Sequence, residues 1–143
     1  MNMVSTERTG KDGKMQLSEQ LRSNLIGLGI TAARVPVLRE ESLSVFEAVK
    51  AAWPESPASV VGTAIVYLRG DGDLDKACRY LADEGVGVDS GPVLARAFLA
   101  AYLCSAKRIR EAEQMARSVL AEGGDEEAVA LARSLLDNEI RAG

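Results

Sequence analysis

The chain has 143 residues and a mass of 15.2 kDa, the size of one domain. Apolar residues make up 47% of it and aromatics only 4%, with alanine and leucine carrying the apolar character, so an all-α fold is expected and a strand-rich one is not. A net charge of −4, with no cluster of lysine and arginine among aromatics, speaks against nucleic acid as a partner.

Residues 1–14 mix serine, threonine, glycine and charges without an apolar period, and they predict a disordered tail ahead of a single helical domain over 15–143. From Gln16 the pattern changes. Leu17, Leu21, Leu25 and Leu28 recur at helical spacing and predict an amphipathic capping helix that ends near Ala33, before Pro36. Glu40–Trp53 reads as the next helix, with Leu43, Phe46, Val49 and Trp53 on one face and Pro54 as its stop.

The clearest hairpin follows. Ala58–Arg69 breaks at Gly70-Asp71-Gly72, Asp73 is placed to cap Leu74–Glu84, and Gly85 ends that helix. Ser90 is a candidate cap for a helix over Pro92–Ser105, with Pro92 tolerated in its first turn. Its partner runs over Lys107–Ala121, and Gly123-Gly124 separates it from a last helix capped by Asp125, with Glu126 and Glu127 at its positive end.

The two hairpins share a register. Ala64-Ile65-Val66-Tyr67-Leu68 with Leu74 and Ala77 overlies Leu99-Ala100-Ala101-Tyr102-Leu103 with Ile109 and Ala112 at a constant offset of 35 residues. That period predicts a stack of about three antiparallel hairpins plus a C-terminal capping helix, in the manner of tetratricopeptide (TPR) repeats of ~34 residues. Ala77 and Ala112 take the points of closest helix approach, and Ile65, Leu68, Leu81, Ala100 and Leu103 fall in the core. The other face of each first helix is left to line a concave groove. It carries Ser59, Gly62, Thr63, Val66 and Arg69 in one repeat, and Leu94, Ala97, Phe98, Ala101 and Cys104 in the next. So apolar a groove suits an amphipathic helix of a partner protein.

Chemistry-bearing motifs fail on inspection. Asp71, Asp73 and Asp75 alternate like the first ligands of a calcium loop, but Lys76 and Ala82 stand where that loop needs glycine and glutamate. The glycines of 85–91 follow a helix and lack the Lys-Ser/Thr of a phosphate loop. With no histidine, and with Cys78 and Cys104 outside any CxxC spacing, neither a zinc site nor a nucleophilic triad is predicted. No cofactor is expected, and the cysteines read as reduced, partly buried thiols. Lys107-Arg108-Ile109-Arg110-Glu111 reads as a solvated basic turn. The longest apolar run, Ala97–Cys104, is far short of the ~20 residues of a membrane span, and the N-terminus lacks a signal-peptide core, so a cytoplasmic protein without membrane contact is expected.

Phe46-Glu-Ala-Val-Lys-Ala-Ala-Trp-Pro54, Val66-Tyr-Leu-Arg-Gly-Asp-Gly-Asp-Leu-Asp-Lys-Ala77, Arg79-Tyr-Leu-Ala82, Leu94-Ala-Arg-Ala-Phe-Leu-Ala-Ala-Tyr-Leu103 and Val119-Leu-Ala-Glu-Gly-Gly124 together resemble the small TPR-like proteins of bacterial type III secretion, of the Hrp-type and YscG-like groups. The resemblance covers roughly 46–136 and rests on no single diagnostic motif. It implies a non-catalytic bacterial virulence chaperone that shields an aggregation-prone needle or filament subunit in its groove, often beside a small helical co-chaperone. The long polar N-terminus departs from that pattern. A generic TPR adaptor and a homo-oligomeric component of the secretion apparatus are the alternative expectations.

Overall fold

The computed structural model describes residues 3–87 and 91–141, with side chains from residue 18 onward. The described residues form seven α-helices and no strand: α1 (Met3–Ala33), α2 (Arg39–Ala52), α3 (Ala58–Ile65), α4 (Leu74–Tyr80), α5 (Val93–Ser105), α6 (Ile109–Glu122) and α7 (Glu126–Ser134). A short 3-10 turn, Pro36–Leu38, leads into α2. Three helices widen into a final π turn: α3 over Val66–Gly70, α4 over Leu81–Val86 and α7 over Leu135–Ile140. Helices pair in chain order as α1/α2, α3/α4 and α5/α6, with α7 against the last pair.

Successive starts keep the period of 35 residues. Second helices begin at Arg39, Leu74 and Ile109, and α3 and α5 begin at Ala58 and Val93. The sequence showed two of these units, and the helix starts add α1/α2 as a third. Position by position, Ser42, Ala77 and Ala112 are each 0% exposed in their second helices. The two alanines are therefore buried at the equivalent positions that the register gives them. In the first hairpin the serine hydroxyl donates to the Gly29 carbonyl at 2.7 Å, which satisfies a polar group in an otherwise apolar place.

Core volume is redistributed along the repeat. Gly29, Ala64 and Leu99 hold one equivalent buried position of the first helices, while Phe46, Leu81 and Ala116 hold one of the second helices. As the first grows, the second shrinks. The exchange is physical contact in the first hairpin, where a Cβ added to Gly29 would lie 2.7 Å from Phe46 Cζ. Phe46, Ala33 and Val66 form a core of their own with Ile30, Leu43 and Ile65 around it, and the larger core joins α3 through α7.

The first helix departs from expectation in two ways. Residues 3–14, expected to be disordered, are helical backbone continuous with α1. No proline precedes Pro36, and the lone Gly10 and Gly13 weaken a helix without ending it. The buried face is also not the leucine stripe: Leu21 is 54% and Leu28 57% exposed, whereas Gly29, Ala32 and Ala33 are buried. Small residues win here because α1 must admit the Phe46 ring. Leu17 lies outside the described side chains.

Capping follows the sequence where it can be checked. The Asp73 carboxylate accepts from the Lys76 N–H and that of Asp125 from the Ala128 N–H, each at 3.0 Å. The proposed Ser90 cap lies outside the described residues, and Gly85 is passed over in favour of Gly87, which ends the second hairpin with φ +59°. Lys107 is less comfortable. It holds φ +65° at the place where the preceding repeat has Gly72 at φ +63°. A side chain with a Cβ is strained there, and Lys107→Gly is expected to stabilise the fold by about 0.5–1 kcal/mol in urea denaturation.

Asp71 takes no part in a calcium loop. Its carboxylate receives Arg39 Nε at 2.6 Å, Arg39 Nη2 at 3.1 Å and Lys76 Nζ at 3.4 Å, tying the start of α2 to the turn before α4. The hydrogen-bonded Arg39 holds the Asp71 carboxyl below the usual carboxylate range, ahead of the opposing effect of burial. A depressed carboxylate lends stability above its unfolded pKa of about 3.9, and that stability is lost as pH falls through the lower folded value. Asp71→Asn is therefore expected to lower the melting temperature at neutral pH, and to narrow its gap from wild type as pH drops below about 4.

Candidate partner-binding clefts

The face expected to line an open groove is largely covered. Of its ten positions, Ser59, Gly62, Val66, Ala97 and Cys104 are buried, Thr63, Leu94, Phe98 and Ala101 are half-buried, and Arg69 is exposed. The reason is packing. α3 and α5 each contact the hairpin before them as well as their own partner, so Gly62 and Val66 meet Phe46 and Ala33 instead of solvent.

Open space lies elsewhere, beside the second helices. A first cleft of about 220 Å³ sits between α2 and the α3/α4 hairpin and is lined by Leu43, Glu47, Lys50, Ser59, Thr63, Tyr67 and Tyr80. A central cleft of about 580 Å³ separates α4 and its π turn from α5 and α6. A third, of about 320 Å³, lies between α6 and α7 with its π turn. The same repeat positions recur: Leu43, Cys78 and Glu113 line the three in turn, as do Glu47, Ala82 and Arg117. Of the expected groove, Ser59 and Thr63 reach the first cleft and none of the ten lines the other two.

The central cleft has an apolar floor and a charged rim. Cys78, Leu99, Leu103 and Met115 contribute the floor, and Arg79, Asp83, Arg108 and Glu111 ring it. Arg108 is held by a forked pair to Glu111 at 2.9 and 2.6 Å, which accounts for the basic turn seen in the sequence. Arg96 is the unusual member, 4% exposed on α5. Its guanidinium reaches Glu122 at 2.6 Å, with Ser118 Oγ and the Gly91 carbonyl each at 3.2 Å, while its Nε is buried without a partner among the described residues. These bonds fasten α5 to α6 and to the loop before α5, so Arg96 shapes a wall of the cleft.

The two thiols are not activated. Burial pushes the Cys78 thiol up, against the opposing charge of Arg108, and burial likewise pushes up Cys104. Both cysteines are free and stay protonated at neutral pH. Tyr102 is pushed up to about 12 by burial. No group of three or more possible metal ligands gathers among the described residues, and no described helix is long and apolar enough to cross a membrane. The arrangement offers shape, apolar surface and a few fixed charges, which are the means of a binding surface.

The chain matches no family model, no curated protein and no solved structure. Sequence reasoning read Cys78 as a partly buried thiol and gave Arg96 no role of its own. A signal for the clefts was available: the 35-residue offset, carried back from Leu74 and Ile109 to Arg39, aligns 43 with 78 and 113.

Proposed function

We propose that this protein is a non-catalytic binding protein that holds a segment of a partner against the side of the stack formed by its second helices. The observation that carries the reading is the recurrence of clefts at the same repeat positions, the central one with an apolar floor. A repeat that leaves the same space in every unit offers an extended partner several equivalent footholds. An amphipathic helix matches an apolar floor inside a charged rim, because its two faces meet the two environments at once.

The resemblance over 46–136 makes the proposal more specific. The partner is a needle or filament subunit of bacterial type III secretion, kept from premature assembly in the cytoplasm. Covering the face through which such a subunit polymerises lowers the free concentration of assembly-competent chain by mass action. The test is affinity capture by the tagged full chain from the native host's cytosol at moderate salt, followed by mass spectrometry. A small secretion subunit recovered in stoichiometric amount supports the reading, and absence of any secretion subunit overturns it. Loss of all partner binding on reversing the charge of Arg69, on the first-helix face, would favour a generic adaptor instead.

A further inference from the structure

At the 35-residue offset, one position of the first helices α1, α3, α5 and α7 reads Ile26, Val61, Arg96 and Leu131. Ile26 and Leu131 are half-buried and Val61 is buried, so packing at this position is met by a branched apolar side chain and asks for no charge. Arg96 is set as deeply as Val61. Burying a guanidinium is costly, and an ion pair offsets the cost only where its geometry is complete. Here it is incomplete: the carboxylate that pairs with Arg96 belongs to Glu122, a side chain 59% exposed, and Nε is buried without a partner among the described residues. The preceding hairpin has no such set, since Asp83 and Gly87 stand where Ser118 and Glu122 would be.

The same chain shows what completes this edge of an arginine. Arg39 donates from Nε and Nη2 to the two carboxylate oxygens of Asp71, at 2.6 and 3.1 Å. Arg96 uses half of that fork. Its Nη2 donates to Glu122 Oε1 at 2.6 Å and its Nη1 to Ser118 Oγ at 3.2 Å, which leaves Nε over. We infer that Arg96 is the recognition residue of the central cleft, taking the carboxylate of an acidic side chain in the partner segment in place of Glu122. The inference rests on the cleft reading given above. Arg96 and Ser118 line that cleft, and Glu122 lies one turn of α6 beyond Ser118. Glu122 is the surface half of the pair, and as an exposed side chain it regains rotamer freedom when it leaves. In the unbound protein it keeps the buried charge paired. In the complex a carboxylate held by both Nε and Nη2 does so with the better geometry. A segment with glutamine at that place gains nothing from Arg96, so the arginine selects its partner as well as binding it. The segment is accordingly an apolar stripe for the floor of Leu99, Leu103 and Met115, interrupted by one aspartate or glutamate.

Fluorescence anisotropy of the full chain tests it with two labelled helical peptides of alanine, leucine and glutamine. The peptides share one leucine stripe and differ by a single glutamate or glutamine within it. The wild type is expected to bind the glutamate peptide about tenfold more tightly than the glutamine peptide. Arg96→Leu, which installs the residue found at position 131, is expected to bind both alike with an unchanged circular-dichroism spectrum. Glu122→Gln removes the internal competitor, and is expected to tighten the glutamate peptide about threefold while leaving the glutamine peptide as it was. This second variant decides the matter if Arg96→Leu does not fold. Equal binding of the two peptides by the wild type overturns the inference and leaves the cleft reading standing, whereas binding of neither overturns both. A glutamate preference that persists in Arg96→Leu, or that fails to grow in Glu122→Gln, places the recognition elsewhere and overturns the inference as well.

Discussion

Phe46→Ala is expected to cost about 3–5 kcal/mol, the largest loss of any single truncation in the N-terminal hairpin. The ring is 1% exposed and lies between two glycines, Gly29 of α1 and Gly62 of α3, which have no side chain to move into its space, while Ile30, Leu43, Ile65 and Val66 border the rest of it. Its removal opens a void bounded on two sides by glycine backbone, which collapses less readily than a pocket lined by side chains alone. Urea denaturation should show the loss as a lower midpoint at an unchanged slope. A cost below about 1 kcal/mol would mean that α1 is not seated on α2 as described. The repeat supplies a compensating pair: Phe46→Leu with Gly29→Ala reproduces the volumes found at Leu81 and Ala64, and the pair should be more stable than the sum of its single variants indicates.

Gly62→Ala carries the second largest effect. Alanine in a helix gains about 0.5–1 kcal/mol over glycine from propensity alone. Against that, the new methyl would clash with Phe46 Cε1, with Gly29 closing off the ring's retreat on its far side. Overpacking of a ring that cannot move outweighs propensity, and a net destabilisation of about 2–3 kcal/mol is expected. The same substitution in a Phe46→Leu background should cost far less. If Gly62→Ala instead stabilises the protein, the close approach of α3 to α2 is wrong.

Much of the fold was legible because its signals are local. Pro54, the caps Asp73 and Asp125, and the 35-residue offset are properties of short windows, and the helix starts at Ala58, Leu74, Val93 and Ile109 fall within two residues of those expected. What escaped the sequence depends on pairs distant along the chain. The first hairpin hid its membership of the repeat because Gly29 and Phe46 exchange the volumes that Leu99 and Ala116 hold in the third. Its leucines suggested the wrong inner face for the same reason, since apolar periodicity marks surface that can be buried and small residues decide which surface fits. The groove was misplaced because a period identifies equivalent positions without showing which neighbour covers them. Gly62 and Val66 pack against the preceding hairpin, while Cys78, Ala82 and Met115 border open space.

The central claim is that a partner sits beside the second helices and not on the first-helix face. It is tested most directly by the affinity of the captured partner for two full-length variants. Ala82→Trp fills the central cleft from an exposed position, and Arg69→Glu reverses the charge of the exposed member of the otherwise covered first-helix face. Binding weakened tenfold or more by Ala82→Trp and unchanged by Arg69→Glu, with both variants as stable as wild type, is the expected result. Undiminished binding by Ala82→Trp together with loss in Arg69→Glu would contradict it.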